Sequence, residues 1–313
     1  MASGKKYYGG FFWVALVSFT VPMFVGWKAF QDIQSTTKPT PQLDVSGVDH
    51  AVWDYLLKAY VAEGLVDYEG MKKDHLFKEY LRELGSCNPD KLETREEKLA
   101  LLCNAYNAFV INGVVSHKIY DSVMNFEIDE KGFFKIEEHI FAGKTVSLDH
   151  IEHTLVRPVF REPRIHVALV CAARSCPSIR PEAYVGSRVL EQLEDQSRLF
   201  ANNPKYVDYD ETKKELMVSK LLSEAWYGND WNERYPNGSS LEWLHGLVVE
   251  PVIEPGEEPD EPTLKQSVKD AWDGKIAVSY FDYDWTLNSQ AEPGKAPEGE
   301  SAAKAGSGGG ADE

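Results

Sequence analysis

The sequence has little basic character. It contains 33 Lys and Arg residues against 50 Asp and Glu residues, which gives a net charge of -17 and a pI near 5.0. Domains that bind nucleic acid carry a basic patch or stripe, so this balance excludes nucleic acid as a partner. Apolar residues make up 43% of the chain and aromatic residues 12%, which is enough for a substantial core and excludes disorder as the main state.

A small-residue cleavage site is also missing after the N-terminal apolar run, FFWVALVSFTVPMFVGW at 11–27. The run is uncharged, follows Lys5 and Lys6, and is just long enough to cross a bilayer as a helix. The lysines favour a cytoplasmic N-terminus. We therefore expect a single-pass membrane protein whose main domain is extracytoplasmic, and periplasmic in a bacterium. A cleaved signal peptide is the alternative.

The C-terminal stretch from Ser289 lacks aromatic and large aliphatic side chains, so it cannot bury enough surface to order itself. These features divide the chain into five segments: a short cytoplasmic N-terminus at 1–10, a transmembrane anchor at 11–30, a linker at 31–45, a folded domain at 46–288 and a disordered low-complexity tail at 289–313.

The folded segment shows both helical and strand periodicity, which predicts a single mixed α+β domain with more helix than strand. We expect helices over 48–64, 94–118 and 187–203, hairpins that turn at 142–144 and 210–213, and strands at 164–172 and 275–288. Ser147 is a predicted helix N-cap, and that helix is expected to end near Arg157 because Pro158 disfavours a helical residue before it.

The stretch RIHVALVCAARSCPSIR, at 164–180, concentrates one histidine, two cysteines and three arginines. On a regular strand His166 and Cys171 point to opposite faces. Cys176 lies in the loop beyond and can fold back, so it is the better thiol partner for His166.

Positive charge close to Cys176 would favour its thiolate. Arg174 and Arg180, or a helix that starts near Pro177, could supply that charge. Three other interpretations of Cys171 and Cys176 stay open: a short-loop disulfide, a zinc site with His166, or two small buried core residues.

Asn104 and Asn107 lie on one face of the helix predicted over 94–118, where asparagine is unfavourable. Their amides need partners. They either tie the helix to a neighbouring loop or lie beside a functional site.

Several stretches together make the chain resemble the DUF547 family, whose function is unknown. They are GLVDYEGM at 64–71, NAYNAFVI at 104–111, SLDHIEHTLVR at 147–157, RIHVALVCAARSCP at 164–177 and YDWTLN at 283–288. The resemblance implies a shared domain but no established activity. It implies a recurrent set of positions, which here are Asn104, Tyr106, Asn107, Ser147, Glu152, Arg157, Arg164, His166, Cys171, Cys176 and Pro177.

So many polar positions exceed what a core needs, and a cleft explains them. We hypothesise a papain-like thiol hydrolase for peptide or amide bonds, without cofactor or metal, with Cys176 as nucleophile and His166 as base. Asn104 or Asn107 would donate to the oxyanion or orient the histidine.

Supporting residues complete this hypothesis. Glu152 would pair with Arg157 or Arg164, and Tyr106 and Cys171 would lie behind the reacting groups. The alternative is a non-catalytic accessory subunit of a larger membrane complex, which docks through two aromatic-rich segments, EAWYGNDWNERY at 224–235 and DYDWTLN at 282–288.

Overall fold

A computed structural model describes residues 44–235, 239–250 and 262–296. The predicted N-terminus and anchor, 1–10 and 11–30, lie outside these ranges. The α-helices are α1 His50–Tyr60, α2 Tyr68–Lys73, α3 His75–Ser86, α4 Arg95–Ser116, α5 Leu148–His150, α6 Arg157–Phe160, α7 Val189–Ala201, α8 Gly228–Arg234, α9 Ser240–Leu247 and α10 Leu264–Trp272. A π-helical turn, Ile151–Val156, joins α5 to α6.

The strands are short. They are β1 Val61–Ala62, β2 Leu65–Val66, β3 Glu127–Ile128, β4 Lys131–Gly132, β5 His139–Phe141, β6 Lys144–Val146, β7 Val207–Asp210, β8 Glu215–Val218 and β9 Ala277–Tyr280. The first six form three antiparallel pairs, and the last three form one sheet in which β8 pairs antiparallel with β7 and parallel with β9. Helix predominates over strand, and the predicted α+β class is confirmed.

Helix α4 is the central element of the domain. Thr94 and Glu97 form a reciprocal capping box at its start, which satisfies backbone N–H groups that the helix itself leaves free. The helix is long and apolar enough to cross a membrane, but 89% of its most apolar window is buried inside the protein. It is therefore the core helix of this domain, around which the larger of two apolar clusters forms. The smaller cluster joins β7 and β8 to α8, α9 and α10.

The predicted hairpins are both present. Ala142 and Gly143 turn β5 into β6 with φ of 50° and 75°, the left-handed geometry that a tight two-residue turn requires. Strand β9 covers only four residues of the predicted strand at 275–288, and the rest of that segment is irregular.

The predicted strand at 164–172 is wrong. Residues Pro163–Val167 form a 3-10 helix, and the chain then continues without regular structure. Pro163 suits the first turn of a helix, and the Glu162 side chain accepts the N–H of Arg164 as its cap. The apolar residues of this stretch follow one another without a strand or helix period. The sequence pattern therefore does not distinguish a buried strand from a buried helix.

The helix that follows Ser147 begins as predicted, with the Ser147 hydroxyl accepting the N–H of His150. Its predicted end near Arg157 is wrong, because helical structure continues through α6 to Phe160. The π-helical turn starts a new helical register just before Pro158. Proline is tolerated in the first turn of a helix, where its missing N–H breaks no hydrogen bond.

The C-terminal residues that the structure describes pack on the domain beyond position 288. The Gln290 N–H donates to the Val66 carbonyl at 3.0 Å, and its side chain donates to the carbonyls of Tyr60 and Leu65. The domain limits of 46 and 288 stay a prediction.

Asn104 ties α4 to the loop before α7. Its amide donates to the Tyr184 carbonyl at 2.8 Å and accepts the Tyr184 N–H at 2.9 Å, and the side chain is fully buried. Of the two interpretations of this residue, the geometry favours the tie between helix and loop.

We predict that Asn104→Ala lowers the free energy of unfolding by about 3 kcal/mol, because two buried backbone groups lose their partner. Asn112→Ala, in the same helix but less buried, is the matched control and should change stability by about 0.5 kcal/mol or less. Urea denaturation measures both. Equal, small losses would contradict the tie.

Candidate functional site

A cavity of about 230 Å³ brings the predicted thiols and histidine together. Aromatic side chains form one of its walls. The Trp226 and Tyr283 rings and the Tyr283 and Trp285 rings have centroids 4.7 Å apart, and Phe134 lies 6.5 Å from Trp285. The two sulfurs and the polar side chains Lys135, Asp149, Glu152, His153 and His166 line the remainder. The cavity therefore combines apolar surface with titratable groups, as binding sites commonly do.

Helix α4 holds the loop that carries Cys171. The Asn107 amide donates to the Ala168 carbonyl and accepts the Val170 N–H, each at 3.0 Å, in the way a neighbouring strand would. Ala172 then has φ of 60°, which is rare for a residue other than glycine and turns the chain sharply after Cys171. Backbone strain of this kind is concentrated at functional sites.

Cys171 is the more accessible of the two thiols and is only half-buried. Its sulfur lies 3.0 Å from the Tyr283 hydroxyl. Burial opposes ionisation of Cys171, but hydrogen bonds from the Cys176 thiol, the Tyr283 hydroxyl and the backbone N–H of Ala173 outweigh it and lower its pKa. Cys171 is therefore the more readily ionised of the two thiols.

Cys176 has the opposite character. It is 4% exposed, and its sulfur accepts the Cys171 N–H at 3.0 Å. Burial and the neighbouring Cys171 sulfur raise its pKa. The geometry thus favours Cys171 rather than the predicted Cys176 as nucleophile. Both sulfurs are free thiols in this structure, not a disulfide.

His166 is buried beneath Tyr227, whose ring stacks on the imidazole at 3.9 Å between centroids. Its Nε2 lies 2.7 Å from the Asp230 carboxylate, while its Nδ1 is 3.9 Å from Glu152, too far for a hydrogen bond. Asp230 therefore holds the proton on Nε2 and leaves Nδ1 as the basic nitrogen. Burial lowers the pKa of His166 despite the Asp230 partner, so the ring is neutral at neutral pH.

Arg157 supports this histidine through Asp230. Its guanidinium donates to both carboxylate oxygens, at 2.9 and 2.8 Å. Partial burial opposes ionisation of Asp230, but the hydrogen bonds from His166 and Arg157 lower its pKa well below the usual range. The carboxylate therefore remains charged and orients the imidazole, as the aspartate of a Ser-His-Asp triad does.

Glu152 projects from the π-helical turn into the cavity and is 7% exposed. It accepts hydrogen bonds from the hydroxyls of Tyr106, at 3.3 Å, and Tyr227. Helical bulges of this type often mark functional sites.

The predicted pairing of Glu152 with an arginine is wrong. Arg157 pairs with Asp230, and Arg164 pairs with Glu162 at 2.8 Å and Glu194 at 3.3 Å. Each of these arginines therefore pairs with a carboxylate other than that of Glu152.

Two of the three predicted sources of positive charge are wrong. Arg180 is paired with Glu182, and in the described stretch after Pro177 the next helix starts only at Val189. The third source, Arg174, stays a prediction. Hydrogen bonds, not cations, lower the Cys171 pKa.

Sequence reasoning missed three groups of this site: Tyr227, Asp230 and Tyr283. The two segments that contain them were interpreted as exposed docking surfaces because they are rich in aromatic residues. In the structure their aromatic side chains line the cavity or, like Trp231, are buried in the core. The aromatic enrichment was therefore a signal for the site.

The family model DUF547, described as a protein of unknown function, matches residues 89–201. The matched segment covers less than half of the chain. It supplies Asn107, Glu152, His166 and both site cysteines, whereas Tyr227, Asp230 and Tyr283 lie C-terminal to it. No curated protein and no solved structure matches the chain. The site thus combines the DUF547 region with groups from outside it.

Metal binding was one interpretation of the cysteines. Within the described ranges 44–235, 239–250 and 262–296, no cluster of three or more His, Cys, Asp and Glu side chains has the arrangement to hold a metal ion. The cysteines and His166 therefore do not form a preorganised zinc site here.

We predict that Tyr283→Phe raises the pKa of Cys171 and slows its alkylation near neutral pH by about tenfold, because the thiolate loses a hydrogen-bond donor. The matched control is Tyr280→Phe, since Tyr280 is 42% exposed and lies on β9. Rates of iodoacetamide labelling from pH 5 to 9, read at Cys171 by peptide mass spectrometry, give the Cys171 pKa in the wild type and in each variant. An unchanged profile in Tyr283→Phe would contradict the assigned role.

Proposed function

We propose that the domain is a thiol hydrolase with papain-like chemistry, in which Cys171 is the nucleophile, His166 the base and Asp230 the orienting carboxylate. The observation that carries this proposal is a single cavity lined both by a half-buried thiol of lowered pKa and by a histidine that Asp230 orients. These are the parts that nucleophilic acyl transfer requires.

The reaction has two stages. The Cys171 sulfur attacks the carbonyl carbon of an amide as His166 Nδ1 accepts the thiol proton, a C–S bond forms, and the C–N bond breaks as the amine leaves with that proton. Water then attacks the thioester, His166 Nδ1 accepts a proton from this water, and the C–S bond breaks to release the acid while the proton passes to the sulfur and restores the thiol. The cycle consumes one water and returns every group to its starting state.

The remaining groups assist in different ways. Asp230 stabilises the imidazolium that forms when Nδ1 is protonated. Glu152, held by Tyr106 and Tyr227, faces the same cavity and can accept a hydrogen bond from the substrate N–H. The cavity volume of about 230 Å³ is below that of common ligand pockets, so only one residue-sized part of a substrate fits beside the sulfur.

We predict that Cys171→Ser lowers hydrolysis of a fluorogenic acyl-amide library by about a thousandfold or more, whereas Cys176→Ser loses about tenfold or less. A serine hydroxyl is a poor nucleophile without a strong base, whereas Cys176 is buried and only supports Cys171, whose backbone N–H donates to its sulfur. Steady-state kcat/KM measures this, with thermal unfolding of each variant as the folding control. Full activity in a folded Cys171→Ser variant would contradict the proposal, and so would loss confined to Cys176→Ser.

We also propose that the N-terminal run holds this domain at the outer face of a membrane, on the basis of its length and of the preceding lysines. We expect the full chain to float with lipid vesicles and to resist carbonate extraction, and residues 31–313 to remain soluble. Protease added outside sealed cells should cleave the main domain. A full chain released by carbonate would contradict the anchor.

A further inference from the structure

A second and larger cavity, of about 860 Å³, lies beside the thiol cavity. Arg157 and Arg161 of the α6 region line it on one side, and Arg234 at the end of α8 lines it on the other. His153 also lines the cavity, and its Nδ1 accepts a hydrogen bond from the Arg157 guanidinium at 2.8 Å. We call this the basic cavity.

Two of the arginines that line the basic cavity lack an ion-pair partner in the part of the chain that the structure describes. Within residues 44–235, 239–250 and 262–296, neither Arg161 nor Arg234 forms an ion pair, and both are exposed. Two of the carboxylates near them already bind other basic side chains. Asp230 is bound by Arg157 and His166, and Glu162 is bound by Arg164, which leaves Glu233 as the remaining carboxylate that lines the cavity.

The basic cavity is connected to the thiol cavity through shared residues. His153 lines both of them. Asp230 lines the basic cavity and binds His166, which lines the thiol cavity. The two cavities therefore meet at the His153 side chain.

We propose that the basic cavity binds an oxyanion group, a carboxylate or a phosphate, on the substrate whose carbonyl carbon is attacked by Cys171. This inference rests on the proposed hydrolase function and gives it a substrate class. Arginine is suited to this task, since its planar guanidinium pairs with both oxygens of such groups.

The net negative charge of the chain is the reason why an anionic substrate needs a basic cavity. A protein with a net charge of -17 repels anions at long range, so an anionic substrate needs a local basic region to be drawn to the site. Arg161 and Arg234 would provide it, while Arg157 is already committed to Asp230. Such a cavity also rejects substrates that carry a cation at the same position.

Inorganic phosphate tests the site directly. We expect full-length protein to bind it in titrations followed by calorimetry, and the double variant Arg161→Gln/Arg234→Gln to raise Kd about tenfold or more. The matched control Arg188→Gln/Arg198→Gln removes the same charge from the α7 region and should leave Kd within about twofold. Succinate in place of phosphate shows which oxyanion is preferred.

A second measurement reads the cavity at Cys171 without any turnover. Iodoacetate and iodoacetamide alkylate a thiolate with loss of iodide, but only iodoacetate carries a charge. We expect the ratio of the iodoacetate rate to the iodoacetamide rate at Cys171 to fall about fivefold in Arg161→Gln/Arg234→Gln and to stay constant in the control variant.

The outcomes separate this inference from the hydrolase proposal. Phosphate binding and an alkylation ratio that are both unchanged in Arg161→Gln/Arg234→Gln would overturn the anion site, even if neutral amides are hydrolysed. Loss of both in that variant, in a protein that hydrolyses no amide, would support the anion site and overturn the hydrolase.

Discussion

The rest of this domain depends on the hydrogen bonds that two asparagine side chains of α4 form with irregular backbone. Asn104 and Asn107 lie fully inside the protein, where an unpaired amide would be costly, and each grips both a carbonyl and an N–H of an irregular segment. Backbone that would otherwise need a neighbouring strand is satisfied by side chains of a helix. This allows residues 168–173 to remain irregular and buried, and to present Cys171 to the cavity.

The electrostatics of the site follow from that arrangement. Cys171 lies in a cavity that is partly sheltered from water, so its thiolate depends on hydrogen bonds from the Tyr283 hydroxyl and the Cys176 thiol. His166 is neutral because it is buried, and its orientation comes from Asp230, which Arg157 keeps charged. A nucleophile and a base with their pKa values moved in useful directions lie within one small cavity, and this supports the proposed chemistry.

The Arg157–Asp230 ion pair contributes to both proposals. Asp230 and Arg157 line the basic cavity, and Asp230 also binds His166, which lines the thiol cavity. The aromatic wall gives the thiol cavity its apolar surface. Together these features support the proposal of a small, acidic acyl substrate.

The sequence by itself determined the mixed α+β class, helix α4 with its cap, both hairpins and the Ser147 cap, because each depends on local periodicity or turn chemistry. It also identified the stretch that carries the thiols and His166. Only the tertiary structure decided which thiol is reactive and what holds the histidine. Tyr283 is 112 residues from Cys171, and Asp230 is 64 residues from His166, so no local pattern links them. The strand predicted at 164–172 is wrong for a related reason: its first residues form a 3-10 helix, and the backbone of Ala168 and Val170 bonds to the distant Asn107 side chain.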